Sequence, residues 1–99
     1  MLLIVGTVRL GSNGLKDARS AMTKMIVASR GEVGCIHYSY AEDVLDARLI
    51  HVNELWRDRA ALNRHFSSSH IAEWRAAWPS LGIRDRNLAL YEVGEGEPT

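Results

Sequence analysis

The segment Leu49–His70, LIHVNELWRDRAALNRHFSSSH, limits the fold of this chain more than any other stretch. Its first eight residues read as an apolar strand that ends on a large aromatic, Trp56. The chain then turns at Arg57 and Asp58 into a helix carrying Leu62, and two histidines follow around three serines. A strand that enters a helix through one or two residues fixes the angle between sheet and helix. Glu54, Trp56, His65 and His70 are therefore expected to converge on one cavity at that corner.

The rest of the chain supplies the partners of this corner. Leu2 to Leu10 reads as a first strand, whose continuous run Leu2, Leu3, Ile4 and Val5 predicts burial on both faces. Gly11 to Gly14 break the pattern, with Ser12 or Asn13 as the expected cap of a helix. That helix carries Leu15, Ala18, Met22, Met25 and Ile26 on one stripe and stops near Arg30 and Gly31. A second strand spans Cys35 to Ala41 with Ile36, Tyr38 and Tyr40 on one face. Glu42 to Ala47 reads as a loop and Arg48 to Trp56 as the third strand. Asp58 is the expected cap of the next helix, with Ala61, Leu62 and His65 along one side. Ser69 is the expected cap of a further helix with Ile71, Trp74 and Trp78 at helical spacing, ended by Pro79 and Gly82. Ile83 to Val93 is the fourth strand.

The order β-α-β-β-α-β predicts an α+β, ferredoxin-like fold: one domain over residues 1–94 and a frayed polar tail over 95–99. Both helical regions of that topology lie on one face of a four-stranded antiparallel sheet. Yet strand three offers Leu49 and Leu55 on one face and Ile50, Val52 and Trp56 on the other. The uncovered apolar face predicts a homodimer packed sheet against sheet.

Charge and cysteine usage exclude several classes. Twelve basic and twelve acidic residues give a net charge of zero, so no nucleic-acid or anionic-membrane footprint is expected. No apolar run approaches the roughly 18 residues of a membrane span. Cys35 is the single cysteine, which rules out an internal disulfide and fits a reducing, cytoplasmic setting, and no signal-peptide pattern follows Met1. No H-x-x-x-H, H-x-H or C-x-x-C spacing occurs, so no metal site is expected. Gly11 to Gly14 are not a phosphate-binding fingerprint.

Two motifs carry a resemblance. SRGEVGCIHY (Ser29 to Tyr38) and NELWRDRAALNRHFSSSH (Asn53 to His70) resemble the antibiotic biosynthesis monooxygenase family. Its patterns are S-R-x-E-x-G-C-x-x-Y and E-x-W-x-D-x-x-A-L-x-x-H-x-x-S-x-H, the second falling on Glu54, Trp56, Asp58, Ala61, Leu62, His65, Ser68 and His70. The resemblance implies a dimeric α+β barrel and a cofactor-independent monooxygenase acting on a small quinol or hydroxylated aromatic. Haem-degrading relatives use an Asn, a Trp and a His where this chain has Thr7, His65 and Arg75, so haem degradation is not implied.

Oxygenation without metal or flavin needs an electron-rich ring that reduces oxygen once deprotonated, in a pocket that excludes water. On that reading Tyr38, Trp56 and Trp74 bound the ring, His65 or His70 is the base, and Thr7 hydrogen-bonds an oxygen. Glu54 shares a face with Trp56, as a base or, more simply, as the ion-pair partner of an arginine such as Arg9. The plainer alternative makes the tryptophans core aromatics and the histidines the end of a helix. The protein is then a non-catalytic dimeric ligand-binding or stress-associated module of the same fold.

Overall fold

Strand β1 (Leu2–Arg9) runs through the middle of a four-stranded sheet of order β2-β3-β1-β4, antiparallel throughout. A computed structural model describes all 99 residues. After β1 come α1 (Leu15–Arg30), β2 (Cys35–Asp43), β3 (Asp46–Trp56), α2 (Arg59–Phe66), α3 (Ser69–Leu81) and β4 (Arg84–Glu92). This is the ferredoxin-like α+β arrangement predicted from the order of elements.

The alternation in β1 and β3 decides where the core sits. Leu2, Ile4 and Val8 are buried with Ile50, Val52 and Trp56, the residues of matching parity on the neighbouring strand. Ala18, Met22 and Met25 of α1 and Ile71 and Trp74 of α3 close over them. The opposite face carries Leu3, Leu55 and Tyr91 across one rung and has no helix over it. Gly6 has a local reason: a Cβ there would stand 1.9 Å from the Asn87 carbonyl oxygen, so β4 approaches β1 only where a side chain is missing.

Several boundaries differ from the sequence reading. Cys35 pairs with Trp56 and His37 with Leu55, which leaves Ile36 as the extra residue of a bulge. The bulge flips the parity, so Ile36 is 51% exposed while Tyr38 is buried. The expected loop over 42–47 shrinks to Val44 and Leu45, because β2 and β3 continue to Asp43 and Asp46. Neither Ser12 nor Asn13 caps α1; Gly14 occupies the N-cap, and Asn13 Nδ2 donates to Asp17 instead. Ser68 rather than Ser69 caps α3, its hydroxyl accepting from the Ile71 amide. Pro79 lies inside the last turn of α3, and the helix ends at Gly82 in the left-handed region (φ 67°).

Candidate functional site

The corner between β3 and α2 is built by two local devices. Glu54 and Trp56, two apart on a strand, share a face, and Trp56 Nε1 donates to Glu54 Oε1 at 3.0 Å. Asp58 then starts α2 by accepting from the Ala61 amide at 2.9 Å. In the second turn of the helix this start delivers His65 inward, with its ring centroid 4.5 Å from that of Trp56 and 5.3 Å from that of Tyr38.

Glu54 is 5% exposed, and no arginine pairs with it directly. Arg9 bonds Asp46 at 3.0 Å instead, because Arg9 stands beside Leu49 in the register while Glu54 stands beside Ile4. Burial pushes the Glu54 carboxyl above its ordinary range, against the Trp56 hydrogen bond, which lowers it.

His65 is 2% exposed, and its Nδ1 lies 2.8 Å from Glu32 Oε1. An ionised carboxylate only accepts, so the imidazole presents Nδ1–H to Glu32 and carries its lone pair on Nε2. Nε2 stands 3.9 Å from Glu54 Oε1. Desolvation pushes His65 below the ordinary histidine value, and Glu32 offsets part of this. His70, at the start of α3, bonds the same Glu32 oxygen through Nε2, with Ser68 Oγ 3.2 Å from that nitrogen. One carboxylate in the α1–β2 connection thus ties together the ends of two helices.

Glu32 is the residue that reasoning on periodicity missed. It stands in a short connection, where neither helical nor strand spacing assigns a direction. The S-R-x-E-x-G-C-x-x-Y pattern that contains it was the available signal.

The space around this network divides in two. On the His65 side, a pocket of about 20 Å³ is bounded by Tyr38, Tyr40, Glu54, Trp74 and Trp78. That is room for about one water. It adjoins an open groove of about 260 Å³ between α3 and β4, the two sharing Glu54, Phe66, Arg75 and Arg86. On the His70 side, a separate cleft of about 180 Å³ lies against Met25, Lys24, Glu73 and Trp74.

The expected site residues are distributed accordingly. Tyr38, Glu54, His65 and Trp74 meet at the inner pocket, and His70 faces the other cleft. Trp56 is fully buried behind the wall and acts on the pocket through its hydrogen bond to Glu54 and its packing against the His65 and Tyr38 rings. Thr7 is not brought to the pocket, because it lies in register with His51 and Asn87 on the parity of the open sheet face.

The donor atoms of Glu32, His65 and His70 lie within 4.8 Å of one another, a set drawn from separate segments that no sequence spacing reveals. Ligands about 2.0–2.2 Å from a tetrahedral zinc ion stand roughly 3.3–3.5 Å apart. The 2.8 Å separation of Glu32 and His65 is that of a hydrogen bond. The arrangement fits a proton-handling network better than a metal centre.

No helix is long and apolar enough to cross a membrane. An uncharacterised protein of Synechocystis is 28% identical over 94 residues, which cover 95% of this chain. The chain spans 64% of the length of that curated relative. Among solved structures, a candidate antibiotic biosynthesis monooxygenase from Deinococcus radiodurans superposes with a TM-score of 0.90 at 23% identity, covering 100% of this chain and 98% of that one. The protein Rv0793 of Mycobacterium tuberculosis superposes with a TM-score of 0.78 at 23% identity, covering 99% and 98%. These likenesses carry the fold. The sequence profile described as antibiotic biosynthesis monooxygenase matches residues 1–77, and the chain belongs to that family.

Proposed function

We propose that the protein is a cofactor-independent monooxygenase of a small quinol or hydroxylated aromatic, acting as a cytoplasmic homodimer. The observation that carries this reading is the pair Glu32–His65, with an imidazole that lines the inner pocket and an Nε2 that makes no hydrogen bond, 3.9 Å from Glu54. His65 takes the proton of a ring hydroxyl, and the resulting electron-rich anion transfers an electron to oxygen. Recombination forms a carbon–oxygen bond, His65 returns its proton to the peroxide, and loss of water from the hydroperoxide leaves a quinone. A quinol and one O₂ thus give a hydroxyquinone and one H₂O. Glu32 fixes the tautomer and stabilises the imidazolium that forms. The apolar wall of Trp74, Phe66 and Ile4 keeps water from the anion.

The sheet face bearing Leu3, Leu55 and Tyr91, which a second copy would cover, supports the dimer. A second reading, a non-catalytic ligand-binding module, is favoured by the small inner pocket, which admits no ring without rearrangement. Oxygen uptake by metal-free protein over a panel of benzoquinols, dihydroxynaphthalenes and anthrones separates the two. Uptake above the spontaneous rate that His65→Ala abolishes supports the enzyme. Absence of uptake across the panel leaves the binding module.

A further inference from the structure

The groove beside the inner pocket has a charge character that the reaction above does not require. Arg75 reaches it from α3 and Arg86 from β4, so two guanidinium groups approach from opposite walls. Neither makes an ion pair with a carboxylate, unlike Arg9, Arg57 and Arg84. Each is instead held against an aromatic ring: Arg75 lies 6.0 Å from the centroid of Phe66 and Arg86 lies 4.6 Å from that of Trp78. Glu54 is the single carboxylate on the groove wall. The groove is therefore electropositive whether Glu54 is ionised or not, in a chain whose net charge is zero.

A third polar group lacks a partner. Trp78 Nε1 is buried and finds no acceptor, although Trp78 lines the inner pocket that adjoins the groove. A buried donor left without an acceptor is destabilising, so an acceptor supplied by a ligand recovers part of that cost. Two unpaired guanidiniums on an apolar groove of about 260 Å³, with an orphan N–H on a residue of the adjoining inner pocket, define a ligand that is flat, apolar in its body and anionic at one edge.

The geometry points to an aromatic carboxylate as the ligand of this groove: a ring system of one or two fused rings bearing a hydroxyl, its carboxylate held by Arg75 and Arg86 and an oxygen accepting from Trp78 Nε1. The inference rests on the reading that this cavity is the substrate site, and it narrows the substrate from hydroxylated aromatics in general to hydroxylated aromatic acids. The acid group anchors the ring at the mouth with its hydroxyl edge directed toward His65. A neutral quinol of the same size lacks that anchor.

The test is equilibrium binding of 1-hydroxy-2-naphthoate against 1-naphthol, two probes that differ by the carboxylate. Titration calorimetry reads both without turnover. The acid is expected to bind at least about tenfold tighter at low ionic strength, the size of one charge-assisted hydrogen bond. High salt should narrow that margin, and the combined substitutions Arg75→Gln and Arg86→Gln should erase it. Both arginines are exposed, so the doubly substituted chain is expected to fold, which its circular dichroism and urea midpoint would verify. Trp78→Phe keeps the ring and removes the donor, and should weaken the acid several-fold. Equal affinity for the two probes, or a preference for the acid that survives both glutamines, would overturn the inference. Oxygen uptake with neutral quinols and no preference for the acid defeats this inference alone. Tight, arginine-dependent binding of the acid with no oxygen uptake on any hydroxylated aromatic acid defeats the enzymatic reading alone.

Discussion

Glu32 and His65 stand 2.8 Å apart although 33 positions separate them in the chain. The contact exists because the α1–β2 connection and the second turn of α2 meet at the end of β3, where Arg57 N also bonds the Gly34 carbonyl. Replacing Glu32 by Gln preserves shape but offers Nδ1 a group that can donate as well as accept, so the tautomer is no longer fixed. Turnover is expected to fall roughly 100-fold or more, within the range of general-base contributions, with the fold retained. Oxygen uptake beside the far-ultraviolet circular dichroism of Glu32→Gln checks both halves.

His70→Ala should behave differently. His70 opens on the other cleft and does not border the inner pocket. Its loss is expected to lower turnover by less than about tenfold, well under the general-base range, and to leave the pH profile in place. A His70→Ala loss as large as that of Glu32→Gln would transfer the base role to His70.

Acidification should destabilise the protein through His65. Its folded-state value lies below the ordinary 6.5, because burial disfavours the imidazolium. Between the folded and unfolded values the unfolded chain binds more protons, so stability is full above 6.5 and declines as pH falls below it. Urea midpoints measured across this range should show the slope in the parent protein and a flatter line in His65→Gln. Turnover should fall on the same acid limb, since the protonated ring cannot accept a proton.

Glu54 titrates with the opposite sign. Burial raises its folded value above the ordinary 4.5, so its contribution is present below 4.5 and is lost as pH rises through the folded value. Glu54→Gln keeps an acceptor for Trp56 Nε1 and removes the buried charge. The variant is expected to be more stable than the parent at neutral pH, with the difference closing in acid, as read from urea midpoints.

Trp56 is expected to act through packing and through Glu54. Trp56→Ala empties the most buried large side chain of the core and should cost about 3–5 kcal/mol. Trp56→Phe retains most of the ring but leaves Glu54 without its donor, for a cost of about 1–3 kcal/mol. Chemical denaturation of both variants separates the two contributions.

The fold was legible because the strands that form the centre of the sheet obey strict alternation. Ile50, Val52, Glu54 and Trp56 fall on one face and His51 and Asn53 on the other, as parity requires. What escaped was whatever alternation cannot encode. The bulge at Ile36 inserts a residue and reverses the parity without a glycine or proline to announce it. Three consecutive serines offer equivalent caps, and only the path of the chain selects Ser68. Glu54 was correctly placed on the face of Trp56, but its neighbour is set by the strand register, which puts Arg9 five rungs away. Glu32, Arg75 and Arg86 meet the site from a loop, a helix and an edge strand, and their convergence is a property of the assembled fold.

The single oxygen of Glu32 shared by the two imidazoles couples the two sides of this corner. In the reaction proposed above, the proton that His65 takes up returns to the peroxide and leaves in water, so the chemistry itself resets a base that is only 2% exposed. Glu32 connects it to His70, whose side chain is 18% exposed and borders the opposite cleft. One carboxylate oxygen therefore joins the two sides, and a change at His70 reaches the His65 ring through a single atom.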